Sequence, residues 1–148
     1  MNTQHIFRDV CNIILPTYCG ICGQFVERRT PICHVCLHEV KSVAPIDMAV
    51  TRNQRVSVFA AAQYDLPMLR YAKAKHRGDV ASINEMGWLV SQRCCNVLEN
   101  IDVLVPIPLH WRRYAQRGFN QATCIAQRIA KEHDIPLHMP LKRVIWHG

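Results

Sequence analysis

The chain has 148 residues, 49% of them hydrophobic and 20% charged, which is the make-up of an ordinary folded domain and excludes bulk disorder. No apolar run approaches the roughly 18–20 residues of a membrane helix. The first ten residues lack a basic region and are broken by Arg8 and Asp9, so they do not read as a secretory signal, and the expected compartment is the cytoplasm. Eighteen Lys and Arg against eleven Asp and Glu give a net charge of +7. That charge suits a polyanionic partner such as nucleic acid, a phosphorylated metabolite or an acidic surface, and equally a basic surface with no role.

Along the chain, Ile6, Val10, Ile13 and Ile14 share one helical face over residues 5–14, and Pro16 ends that element. Residues 17–38 carry paired cysteines. Residues 41–55 show no periodicity and read as a connection. The apolar run 56–64 reads as a strand. Pro67 opens a helix bearing Arg70, Lys73, Lys75 and Arg77, closed by Gly78. Asp79 is a candidate N-cap for a helix over 80–98 with Ile83, Met86, Val90, Cys94 and Val97 on one face. Residues 102–108 read as a buried strand ending in a proline-rich turn. Asn120 caps a helix with Ala122, Ile125, Ala126, Ile129 and Ala130 on one face, and Pro136 begins a short extended piece. This order predicts an α/β fold whose strands cross over through helices.

The eight cysteines are 11, 19, 22, 33, 36, 94, 95 and 124. Cys19-Gly-Ile-Cys22 and Cys33-His-Val-Cys36 are two C-x2-C knuckles ten residues apart. Two such knuckles supply four thiolates for tetrahedral Zn(II), closed by protein ligands and therefore structural. The alternatives are a redox pair or coincidence; a redox motif does not come as a closely spaced duplicate. His34 and His38 are substitute ligands if one cysteine faces away. A segment of about 30 residues builds too small a core alone, and a metal supplies the deficit. Cys11, Cys94, Cys95 and Cys124 read as buried thiols.

The stretch Val105-Pro-Ile-Pro-Leu-His-Trp-Arg-Arg-Tyr-Ala-Gln-Arg-Gly-Phe-Asn-Gln121 lies between the strand and a helix start. Ligands of open α/β sheets bind off strand carboxyl ends, and helix N-termini suit anions. Arg112, Arg113 and Arg117 offer guanidinium forks that match phosphates. Pro106 and Pro108 stiffen the turn, and Gly118 permits a special conformation or a close approach. The segment therefore reads as a phosphate or pyrophosphate loop. Its mixture of arginine and aromatic residues equally suits single-stranded nucleic acid. The alternative is a solvated loop with Trp111 and Tyr114 packed on the domain. The cluster 70–77 is a further candidate DNA contact or a solvated helix face. His110 is a lone histidine and weak evidence for acid–base work. No nucleophile elbow, H-E-x-x-H or Walker A loop is present, so no catalytic residue is assigned.

The knuckles, followed by Lys75-His-Arg-Gly-Asp79, Val105-Pro-Ile-Pro-Leu-His110 and Arg117-Gly-Phe-Asn-Gln121, resemble the ComF/GntX family over residues ~6 to ~143 (motif span as the sequence reads). The resemblance implies an N-terminal zinc-knuckle module, residues 1–42, and a portion of a type I phosphoribosyltransferase-like domain with a parallel sheet, residues 43–148. It implies a competence accessory factor in DNA uptake, cytoplasmic or held at the inner membrane face through partners. Those partners would be single-stranded DNA and a helicase-like ATPase. The family's Pro-x-Pro loop faces pyrophosphate, which places Pro106, Pro108 and His110 on it and Arg117, Gly118, Asn120 and Gln121 beside it.

Lys75 is followed by His76 where the family has an aromatic residue, and a histidine can still stack. The family also carries a later strand with paired aspartates and Thr-Thr-Gly, which with Mg(II) holds phosphoribosyl pyrophosphate. No such segment follows Leu141 here. The expectation is a truncated chain with half a transferase site, inactive in phosphoribosyl transfer by itself and exposing an apolar sheet edge. Transferase activity on phosphoribosyl pyrophosphate, or a non-functional remnant, are the alternative readings.

Overall fold

The structure, a computed structural model, describes residues 16–26, 30–65, 68–69 and 79–145. The chain divides into two compact units, Met1–Val40 and Lys41–Gly148. The helix expected over 5–14, with Cys11, lies outside the described residues.

In the first unit Tyr18 and Phe25 form an antiparallel bridge, with their rings edge to face at 6.3 Å. The bridge closes a tight turn in which Gly23 sits at φ +74° and donates to the Cys19 carbonyl at 2.8 Å. A side chain at Gly23 would meet no atom within 4 Å; the left-handed backbone alone favours glycine there. Helix α1, His34–Glu39, starts at Cys33, whose sulfur accepts the Cys36 N–H. Among the described residues the buried apolar positions of this unit are Cys19, Ile32, Cys36 and Val40.

The second unit opens with a hairpin of β1, Ile46–Thr51, and β2, Gln54–Val58. The stretch 41–55 is therefore not a plain connection, and the strand expected over 56–64 is shorter and begins earlier. The reason is a period of two: Ile46, Met48 and Val50 alternate with Asp47, Ala49 and Thr51. Ile46 pairs with Val58 and Met48 with Val56, which puts four apolar side chains on one face. On the other face Ser57 donates to Asp47 at 2.5 Å. All residues of the hairpin are exposed. Residues 68 and 69 are helical; Pro67 and the cationic positions Arg70, Lys73, Lys75 and Arg77 lie outside the described residues.

Helix α2, Val80–Arg93, is capped by Asp79, which accepts from the Ser82 N–H and hydroxyl at 3.2 and 2.6 Å. Those bonds hold the Asp79 carboxyl below its ordinary range. The helix expected to run to 98 breaks at Cys94 and resumes as α3, Cys95–Leu98. Helix α4, Trp111–Arg117, and helix α5, Gln121–His133, follow. Helix α2 packs along α5. At Gly87 the two backbones come so close that a Cβ would stand 3.0 Å from the Arg128 Cβ. Leu98, Ile129 and Ile135 centre the core, joined by Val90, Cys94, Ile101, Leu104 and Ile125. Ser91 is buried, and its hydroxyl meets the His133 Nε2 at 2.7 Å, which ties α2 to the end of α5.

The expected parallel sheet is not what the described residues form. Their sheet is the two-stranded antiparallel hairpin. Parallel pairing is reduced to one bridge, Leu104 with Leu137, made by Leu104 N–H to Pro136 O and His138 N–H to Leu104 O, both 2.9 Å. A parallel ladder advances two residues at a time. Its next donors would be positions 106 and 140, and in the other direction 136. All three are proline, which has no N–H to give. The strand expected over 102–108 is consequently a single bridge followed by extended chain.

Candidate functional site

The sulfurs of Cys19, Cys22, Cys33 and Cys36 all lie within 4.8 Å of one another. Cys22 and Cys33 are 3.8 Å apart. Four thiolates about 2.3 Å from a tetrahedral zinc stand about 3.8 Å apart, so the residues fit a four-coordinate metal. The first knuckle supplies its pair from the Gly23 turn, the second from the start of α1. Cys33 N–H also donates to the Cys19 sulfur at 3.3 Å. Burial pushes the Cys19 thiol up, but N–H groups of Cys33, Cys22 and Ile21 and the Cys22 thiol bring it down to about 6. Burial and the surrounding sulfurs push Cys36 the other way. Negative charge cannot collect on four adjacent sulfurs unless a cation sits among them. His34 and His38 are exposed on α1, with ring centroids 5.5 Å apart; with four cysteines converging, neither is required as a substitute ligand.

In the second unit the structure resolves the loop 105–121 into two capped helix starts. His110 is buried and its Nδ1 accepts the Arg112 N–H at 3.3 Å, capping α4. Asn120 caps α5, accepting from Ala122 N–H at 3.1 Å, and donates to the Ile107 carbonyl at 3.0 Å, which fastens α5 to the proline turn. N–H groups expected to face an anion are thus partly taken by these side chains. Gly118 ends α4 at φ +78° with its N–H on the Tyr114 carbonyl at 2.8 Å. A Cβ there would meet nothing within 4 Å, so its role is the left-handed cap rather than a close approach.

Residues 103–131 contain Arg112, Arg113, Arg117, Arg128 and Lys131 and no carboxylate. Arg128 pairs with Glu132 one turn on. Arg113 and Arg117 are four apart on α4 and share a face. The Arg112 guanidinium lies 5.4 Å from the Trp111 ring centre. Trp111 is 66% and Tyr114 53% exposed, so the alternative of a loop with both rings packed on the domain is not what forms: they stand on a seven-residue helix with no buried residue. Pro106 and Pro108 line a cleft with residues of α4 and α5. Gln121 is the first residue of α5.

The remaining thiols divide. Cys94 and Cys124 are partly buried, and burial raises both. Cys95 is exposed, contrary to the expectation of burial, because α2 ends just before it and α3 turns it outward.

Burial, together with Arg112, Arg143 and Arg113, holds the His110 imidazole below its ordinary 6.5. The unfolded chain therefore takes up that proton first. The associated stability is complete above about pH 6.5 and is lost as pH falls through the lower folded value. Replacing His110 by asparagine keeps an oxygen acceptor at the cap and deletes the titration. Thermal midpoints of the two proteins should diverge in favour of H110N as pH drops from 7.5 to 5. A constant difference across that range would refute this role.

The described residues thus define a four-cysteine cluster at metal-ligand distance and a unit of helices with a two-stranded antiparallel hairpin, in which a cationic, aromatic segment lies between Pro108 and α5. Over 127 residues the chain is 33% identical to competence protein ComFC of Bacillus subtilis (strain 168), covering 85% of this chain and 49% of that protein. The chain thus spans about half the length of that relative. No family model and no solved structure matches it. The chain is a distant homologue of that competence protein and carries a four-cysteine cluster at metal-ligand distance. No helix among the described residues is long and apolar enough to cross a membrane.

Proposed function

We propose that this protein is an accessory factor of DNA uptake that binds single-stranded DNA through α4 and the loop before it. Zn(II) held by Cys19, Cys22, Cys33 and Cys36 braces the first unit. The observation that carries the reading is the gathering of Trp111, Arg112, Arg113, Tyr114 and Arg117 on one short helix with no buried residue, in a stretch free of carboxylates. Guanidinium groups follow phosphates while exposed rings stack bases. The homology to a competence protein supports the biological setting, with a helicase-like ATPase and a cytoplasmic face of the membrane as the matching partner and place. Arg70, Lys73, Lys75 and Arg77 are further candidate DNA contacts by residue type in this reading.

The finer fold proposal, a phosphoribosyltransferase-like domain, is supported by the crossover from Leu104 through α4 and α5 to the parallel partner Leu137. Phosphoribosyl transfer itself is the second reading, favoured by the Pro106–His110 turn at a strand end.

A labelled 15-nucleotide oligo-dT titrated by fluorescence anisotropy tests the proposal. Three arginine–phosphate contacts predict a log–log salt slope of about −2, a loss of about 20-fold in affinity between 50 and 200 mM salt. Replacing Arg112 and Arg113 by alanine should bring the slope to about −0.7. No binding at 50 mM salt by folded, zinc-loaded protein would refute the proposal.

A further inference from the structure

The cleft beside the proline turn has a volume of about 450 Å³, within the range of small-ligand sites and far more than a single water needs. Its composition differs from that of the surface next to it. Tyr114 and Phe119 stand with Pro106 and Met139 as apolar lining, and α5 contributes Thr123 and Gln127. Thr123 and Gln127 are four apart, so both project from one face of the helix. No lining residue is charged. The Cys124 thiol in the lining is raised by burial and adds no charge.

An uncharged cleft with two aromatic rings in its lining is a poor place for a phosphate, whose desolvation would go uncompensated. It suits a flat ring with two apolar faces and a polar rim. A hydroxyl and a carboxamide each donate and accept, so Thr123 and Gln127 can meet the edge of any base without selecting one. Tyr114 belongs to both features: it lines the cleft, and the helix that carries it also carries Arg112, Arg113 and Arg117. Phosphates on the arginine side of α4 would leave an attached base within reach of the cleft.

We infer that the cleft between the proline turn, α4 and α5 receives one unstacked nucleobase of the bound strand. This rests on the single-strand reading above and adds to it where a base goes. Two probes separate the inference from that reading: oligo-dT, and an oligonucleotide of equal length made of abasic sugar–phosphate units. Affinity is read by anisotropy. Occupancy is read by maleimide labelling of Cys124, mapped by mass spectrometry, with exposed Cys95 as the internal control.

Oligo-dT should bind about tenfold tighter than the abasic strand, the scale of one stacked base. It alone should slow Cys124 labelling while Cys95 labelling stays constant. Tyr114→Ala and Gln127→Ala should each bring the ratio of the two affinities toward one. Equal affinity for both strands with Cys124 unprotected would overturn the inference and leave phosphate binding standing. Tighter binding of oligo-dT with Cys124 unprotected would also overturn it, placing the base elsewhere. Failure of both strands to bind would remove the single-strand reading together with the inference.

Discussion

Cys33→Ser should lose the bound metal and unfold the segment 16–40 while leaving 79–145 folded. Serine is a better helix N-cap than cysteine, so the bond now made by the Cys33 sulfur to Cys36 N–H is preserved or improved, and only ligation is removed. The other described residues of the unit offer little to compensate. Its buried apolar residues, apart from two of the ligands themselves, are Ile32 and Val40 among the described positions. Burying two aliphatic side chains contributes about 3–6 kcal/mol. Ordering some twenty-five residues costs several times more. Metal affinity in modules of this kind is itself folding free energy, about 10–16 kcal/mol in zinc-finger peptides. Hydrogen exchange followed by mass spectrometry should show protection of 16–40 collapsing in C33S and in wild type treated with a strong chelator. Atomic emission should find about one zinc per wild-type chain. Intact protection of 16–40 in metal-free C33S would mean that hydrogen bonds such as Cys19 N–H to Gln24 O hold the fold without a metal.

Gly87→Val is the substitution expected to damage the second unit most. Glycine within a helix ordinarily costs about 1 kcal/mol relative to alanine, so Gly87 in the middle of α2 is there for space. A Cβ would stand 3.0 Å from Arg128 Cβ, 3.1 Å from its Cγ and 3.4 Å from the Ile125 backbone. The Arg128 Cβ is tied to the α5 backbone and cannot swing aside. Two branched methyls therefore push the helices apart and disturb the Ile125 and Ile129 packing and the Ser91–His133 bond. The loss should be about 2–3 kcal/mol, the upper part of the range for overpacked cores, read from the urea midpoint. Gly87→Ala is the graded control: its helix-propensity gain offsets part of the clash, so it should lie between wild type and G87V. A G87V midpoint equal to that of wild type would show that α2 and α5 have room to separate.

The exposed apolar residues bear on handling of the protein. Ile46, Met48, Val56 and Val58 form an uncovered hairpin face, and Val103, Val105, Ile107, Met139 and Leu141 are exposed around the single parallel bridge. Exposed apolar surface of this kind invites association between chains.

Much of the chemistry was legible in the residues alone. The repeated C-x2-C spacing specifies four converging thiolates because a two-residue gap can only make a tight turn. Asp79 and Asn120 announced their helices because a short acceptor side chain satisfies the free N–H groups of a first turn. The apolar spacing of α5 placed Ala126 and Ile129 inward. The prolines at 106, 136 and 140 already forbade an extended parallel ladder between those two segments, although that consequence needs the register Leu104–Leu137, which no local pattern supplies. Register, the approach of α2 to α5 at Gly87, the outward setting of Trp111 and Tyr114, and the cleft that joins Tyr114 to Thr123 and Gln127 all depend on which distant residues meet. Local propensity and hydrogen-bond chemistry act within a few residues and can be read in order along a chain. Packing acts between surfaces brought together by the whole unit, and only the tertiary structure decides it.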